Sequence, residues 1–179
     1  VAVYKENLYK PMPGYRFIAS NTDRSRYYVG ELNGKSSKQA YMDALHISES
    51  NIINQTFHNP LGKMNGQDIC IISLKEVSGN GLCCYRQVND SDVLVLLEEQ
   101  DYNEILDETL QRIRRDFNHI SGVFSINCVF RYLLFSQEHH MEDYLKTMST
   151  LGDHAGLIGF GEHYNQQFVN QTMTCVVFE

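Results

Sequence analysis

A thiol, a guanidinium, a carboxylate and an amide stand where β-strands are expected to end, in the spacings Cys128-x-x-Arg131, Gly161-Glu162 and Asn170-x-Thr172. Small ligands commonly bind at strand ends. Cys128 closes the apolar run Gly122–Cys128, and a helix is expected directly after it. The thiol then lies near a helix N-terminus, where unpaired N–H groups and the dipole favour negative charge and can lower a thiol's pKa. Arg131, one turn on, offers a planar fork for a carboxylate or phosphate. Hydrogen bonds to a charged group contribute roughly 1.5–3 kcal/mol each. Three readings stay open: a small buried hydrophobe with Arg131 paired to Glu162 for structure, an anion site, and an activated nucleophile served by His154 or His163. The Cys-x-x-Arg spacing is shorter than the Cys-x5-Arg loop of tyrosine phosphatases, which disfavours that chemistry.

The stretch Leu157-Ile-Gly-Phe-Gly161-Glu162-His163-Tyr164 places Glu162 at the mouth of a sheet. Gly161 permits a turn closed to other residues. The carboxylate suits a ligand's ammonium group, a helix cap or an ion pair with Arg131. Asn170 and Thr172 fall two apart on the expected last strand, hence on one face, turned to solvent or to a site. His139 and His140 are neighbours on a helix and point about 100° apart. His154 and His163 lack a matching third ligand, so metal binding is weakly signalled. Walker loops, a dinucleotide fingerprint and a Gly-x-Ser-x-Gly elbow are missing.

The elements that must position these groups follow from period and punctuation. Strands are expected over residues 15–20, after the break at Pro11-Met-Pro13-Gly14, and over 26–32, closed by Asn33-Gly34; together they make a hairpin. Ser36 or Ser37 caps a helix reaching about His46. Residues 48–66 read as a long loop. Strands at 68–74, 82–88 and 93–97 form an antiparallel meander, their connections being too short for crossovers. A helix runs from Tyr102 to about Asn118, with Ile105, Leu106, Leu110, Ile113 and Phe117 on one side. The strand at 122–128, one helix over 130–150, a strand at 155–160 and a last strand at 169–178 complete the chain. The expectation is one α+β domain over 1–179, mainly antiparallel β-sheet layers packed against helices.

Composition agrees. The chain has 179 residues, of which 42% are apolar, enough to build a core without staples. A domain this size buries roughly 70% of its unfolded surface. The net charge of −7 argues against a nucleic-acid partner. No run approaches the ~18 apolar residues of a membrane helix. Five cysteines without metal-like spacing read as reduced thiols in the cytoplasm, and no cofactor is signalled. The first residue is Val1, so the polypeptide is read as an excised piece or as one that has lost its start.

Residues 26–35, Arg-Tyr-Tyr-Val-Gly-Glu-Leu-Asn-Gly-Lys, are similar to a "y-x-E-L-(N/D)-G-K" strand and turn, with Tyr41 in the helix that follows. His58-Asn-Pro60-Leu-Gly and the hairpins across 78–92 match the middle section of the same pattern. With Cys128/Arg131, Gly161-Glu162 and Asn170-Gln-Thr172 in that order, the chain resembles the C-terminal half of FIST sensory domains (F-box and intracellular signal transduction). Two departures from the pattern are visible: Ser36-Ser37 replaces Pro-Ala, and Gly159 stands where a Thr or Ser is favoured. The missing hydroxyl bears on which ligand is accepted. The resemblance implies a cytoplasmic, non-enzymatic sensor for a small molecule, an amino acid or small acid, working beside chemotaxis or kinase modules. It implies an N-terminal FIST half before Val1 and an output module elsewhere. Arg131 and the backbone after Cys128 would hold the carboxylate and Glu162 the amine, while Asn170 with Thr172 orient the ligand and Gly161 and Tyr164 complete the set. The rival expectations are a Cys128-dependent enzyme and a ligand-free interaction module.

Overall fold

The computed structural model describes residues 1–66 and 68–179 and resolves two compact units, Val1–Leu8 with Gln100–Glu179, and Tyr9–Glu99. Strand β1 (Ala2–Asn7) belongs to the first unit. The second unit holds β2 (Tyr9–Asp23), β3 (Tyr28–Leu32), β4 (Lys35–Ser36), α1 (Ser37–Leu45), α2 (Ile52–Gln55), β5 (Leu61–Asn65), β6 (Asp68–Ile72), β7 (Leu74–Ser78), β8 (Gly81–Cys84) and β9 (Val93–Glu99). The chain then returns to the first unit with α3 (Tyr102–Asp116), β10 (Gly122–Cys128), α4 (Val129–Gln137), α5 (Met141–Met148), β11 (Asp153–Gly159), β12 (Glu162–Tyr164), β13 (Gln167–Val169) and β14 (Thr172–Phe178). The fold class is α+β, with antiparallel sheets packed against helices, as the sequence leads one to expect.

In the second unit the strands follow the order β6-β5-β9-β2-β3-β8-β7, with β4 added to β3, and all pairs are antiparallel. The two ends of that path, β6 and β7, are consecutive in the chain and separated by Ser73 alone. Laid flat, seven strands would set the end strands roughly 29 Å apart, whereas one residue bridges only about 7 Å. The sheet therefore curls until its edges approach, and Phe17, Leu32, Tyr41, Ile52, Leu61, Leu82, Leu94 and Leu96 fill its interior with α1. Asn33 and Gly34 (φ 52° and 71°) make the tight turn from β3 to β4. The Asn-Gly pair predicts that turn. Ser36 caps α1 by accepting from the Gln39 N–H, and His46 closes the helix in the left-handed region.

Three sequence expectations change here. Pro11–Gly14 does not end a strand: β2 runs through it and bulges, Pro11 facing Leu97 and Arg16 facing Val95. Residues 48–66 are not one loop, because α2 and β5 lie within them, each too short to show a period. The meander forms only at its first turn, where β7 and β8 pair antiparallel across Ser78–Gly81. The run 68–74 is broken at Ser73 into two strands, β8 pairs with β3 and β7 and ends at Cys84, and residues 85–92 carry the chain across to β9, which pairs with β2 and β5.

The first unit is a four-stranded sheet, β1-β14-β10-β11, antiparallel except for the parallel pair β10/β11, with the β12–β13 hairpin beside it. A parallel pair requires a crossover, which α4 and α5 supply. The single helix expected over 130–150 is two: His139 takes a left-handed conformation (φ 55°), α4 stops, and His140 packs edge-on against Phe135 at 4.7 Å. The last strand begins only at Thr172, because Gln171 (φ 52°) turns the chain after β13. Strand β1, unassigned from the sequence, pairs with β14 along its whole length. No helix among the described residues is long and apolar enough to cross a membrane.

Candidate functional site

Strand alternation sorts the four-stranded sheet into two faces. Cross-strand rows Tyr4–Cys175–Ser125–Gly156 and Glu6–Met173–Asn127–Ile158 share one face, and Tyr4, Glu6, Ser125, Asn127, Met173 and Cys175 are buried. Val3, Phe124, Leu157 and Phe178 have the opposite parity and stay partly exposed. Cys128, paired with Gly159, and Thr172 end their strands with that second parity.

Around those strand ends the structure gathers most of the expected residues. Glu162 opens β12, is 2% exposed, and accepts a hydrogen bond from Thr172 Oγ1 to its Oε2 at 3.2 Å. Its Oε1 has no hydrogen-bond partner. A side chain at Gly159 would put its Cβ 3.6 Å from that oxygen, so the glycine leaves room beside it. Burial pushes the Glu162 carboxyl up to about 7, although Thr172, Cys128, the Gly161 backbone and the Arg131 charge pull the other way. Gly161 has φ 130°, and a Cβ there would lie 2.5 Å from the Phe168 ring and 3.6 Å from Asn170 Oδ1. That backbone conformation fits the turn expected of it. Asn170 is buried, but it precedes the turn at Gln171 and is not on β14, so the two-residue alternation does not relate it to Thr172. Tyr164 ends β12, half-buried, with Lys5 Nζ 5.4 Å from its ring centroid.

Cys128 stands at the N-cap position of α4 without a side-chain capping hydrogen bond and is 2% exposed. Its thiol is shifted upward, first by burial and then by the Glu162 carboxylate, and the N–H groups of Phe130, Gln171 and Arg131 offset only part of this. The helix terminus acts in the direction the sequence suggests, and burial outweighs it.

Arg131 departs furthest from expectation. It is 1% exposed, and its Nη2 donates to Glu6 Oε1 on β1, while its guanidinium carbon lies 4.6 Å from the Phe135 ring centroid and 5.5 Å from that of Tyr144. Nε and Nη1 have no hydrogen-bond partner, nor does Glu6 Oε2. Glu6 is the residue that sequence reasoning missed. Its signal was available: Val3, Lys5 and Asn7 alternate with Ala2, Tyr4 and Glu6, but a charged residue at an inward position hides the strand.

Among the described residues no group of three or more His, Cys, Asp or Glu side chains could hold a metal ion. All five cysteines are free. No match to the chain is found among curated proteins or among solved structures. A family model, by contrast, spans α1 in one unit to β12 in the other, matching residues 38–165, and on that match the chain belongs to the FIST C domain family, a family of signal-transduction sensory domains.

Proposed function

We propose that this domain senses a small metabolite carrying an ammonium group, an amino acid or a close analogue, and that Glu162 registers it. The observation that carries this reading is Glu162 Oε1, a buried carboxyl oxygen without a hydrogen-bond partner on a group whose pKa burial has raised to about 7. Such a group is unstable as a bare anion, and a cation brought to it supplies the charge the interior lacks. Thr172 and Cys128 would orient the carboxylate, with Gly161, Asn170 and Tyr164 bordering it. Arg131 takes a different part from the one its spacing suggested. Held by Glu6 and two aromatic rings, it braces the start of α4. Catalysis by Cys128 is disfavoured, because its thiol is buried and shifted upward. The family resemblance supports a cytoplasmic setting with an N-terminal FIST half and an output module as partners.

Thermal-shift measurements across amino acids, simple amines and small acids test the reading. Amine-bearing ligands are expected to raise the midpoint, and more at pH 8 than at pH 6, since binding requires the carboxyl to give up its proton. Glu162→Gln is expected to abolish the response. Equal stabilisation of the Gln variant, or a response confined to acids without an amine, overturns the assignment.

A further inference from the structure

A second site lies between β10, β11, α4 and α5, and none of its residues belongs to the Glu162 cluster. Asn127 Nδ2 donates to Tyr144 OH (2.9 Å), Tyr144 OH donates to Ser125 Oγ (3.2 Å), and Ser125 Oγ meets His154 Nε2 at 2.8 Å. Tyr144 gives its proton to Ser125, whose own proton is then free to go to His154 when Nε2 carries none. Burial shifts His154 downward from the ordinary histidine value, which favours the neutral imidazole. The chain links a buried amide to that imidazole.

All four residues line a cleft of about 300 Å³. Its other walls include Tyr132, Met141, Leu145, Leu157 and Ile158. Gly156 keeps one side flat, since a Cβ there would come within 2.6 Å of the Ser125 carbonyl and hydroxyl oxygens. None of the lining residues is acidic or basic apart from the neutral His154. One acceptor in the lining is unused: Asn127 is 6% exposed, and its Oδ1 has no hydrogen-bond partner. Buried polar atoms are rarely left so.

We infer that this cleft binds a small uncharged ligand, one ring or its equivalent in size, whose N–H or O–H donates to Asn127 Oδ1 while its apolar body lies between Leu145 and the Gly156–Ile158 edge. The volume stands at the lower limit of small-molecule sites, which restricts the ligand to a single ring. The absence of fixed charge excludes a zwitterion, which would enter without a counter-ion. The cleft is thus chemically distinct from the Glu162 site and open to a different class of molecule.

Ligand-observed NMR titration of the intact chain with phenol, benzamide, toluene and glycine tests this. Phenol and benzamide are expected to bind saturably with Kd on the order of 1 mM, as suits so few heavy atoms. Toluene, which fills the same space without a donor, is expected to bind at least about fivefold more weakly. Leu145→Trp fills the cleft and should remove the binding, and Leu145, 47% exposed, can accept the larger ring without disturbing the core. Glu162→Gln should leave it unchanged, so failure here and failure of the amine-sensing reading are separate results. The inference is overturned if phenol and benzamide show no saturation up to about 20 mM. Equal affinity for toluene, or undiminished binding by Leu145→Trp, overturns it as well.

Discussion

The two units bury polar groups differently. Among the described residues of the unit Tyr9–Glu99 the buried polar side chains are Ser37, Thr56 and Ser73; Ser37 donates to the Val29 carbonyl and Thr56 accepts from the Leu74 N–H. In the other unit Glu6, Asn127, Arg131, His140 and Glu162 each carry a buried atom without a partner, and all such atoms among the described residues fall there. One interior is built for packing. The other keeps unused hydrogen-bonding capacity, which is costly unless something completes it. A fold tolerates such groups where a ligand, a proton or a partner supplies what is missing, and this is the unit that holds every residue the sequence marks as functional.

The comparison is most exposed at the Arg131–Glu6 pair. Arg131→Met leaves Glu6 buried without its counter-charge and is expected to destabilise the chain by about 3–5 kcal/mol. Adding Glu6→Leu should recover most of that loss, since replacing both partners by apolar groups is often neutral. Urea unfolding of the two single variants and the double variant measures the coupling. Additive losses would mean that the pair contributes packing and little charge interaction, and the contrast between the units would weaken. In the other unit, Leu94 is fully buried in the curled sheet. Leu94→Ala should destabilise it by about 3 kcal/mol through a cavity. That loss should be independent of pH between 5 and 8, and a pH-dependent loss would show that this interior also hides titrating groups.

Glu162 sharpens the contrast through pH. Its folded pKa of about 7 lies above the ordinary 4.5, so the fold prefers the neutral carboxyl. That stability is complete below about pH 4.5 and is lost as pH rises toward 7, because the unfolded chain releases its proton first. Glu162→Gln removes the slope. Its melting midpoint should match the parent at pH 4.5 and exceed it by about 3 °C at pH 8. Parallel pH curves for the two proteins would place the Glu162 titration at its ordinary value.

How much of this was legible follows from which force set each element. The β2–β3 hairpin, the turn at Asn33-Gly34, α1 behind Ser36, the amphipathic α3 and the strand Gly122–Cys128 are local: turn chemistry, caps and periodicity fix them, and the sequence reveals them. The order of strands in the curled sheet is set by contacts distant in sequence, and neither the splitting at Ser73 nor the crossing through residues 85–92 carries a local mark. At the site, Thr172 meets Glu162 through a hydrogen bond, and Gly161 precedes it in the chain. Arg131 did not join them, because its partner Glu6 is far away along the chain on a strand whose inward face is partly charged. The cleft between α4 and β11 was invisible for a similar reason: reading residues 130–150 as one helix conceals the turn at His139 that sets α5, and with it Tyr144, against Ser125 and Asn127.

The smallest expected effects concern the helix caps, one in each unit. Asp101 accepts from two amides, those of Asn103 (2.9 Å) and Glu104 (3.0 Å). It also places a carboxylate at the positive end of α3. Ser36 accepts from one, Gln39, at 3.3 Å. Asp101→Ala should therefore destabilise by about 1 kcal/mol and Ser36→Ala by about half as much. Asp101→Asn keeps the acceptor and drops the charge, so its loss reports the dipole share alone, about 0.3–0.5 kcal/mol at low salt and less as salt is added. Hydrogen exchange at the Asn103 and Glu104 amides locates the effect: faster exchange there in Asp101→Ala, with the α1 amides unchanged, is the expected pattern. If both caps instead loosen the same set of amides, the two units open together, and the separation of a packed interior from a polar one is structural only and does not extend to stability.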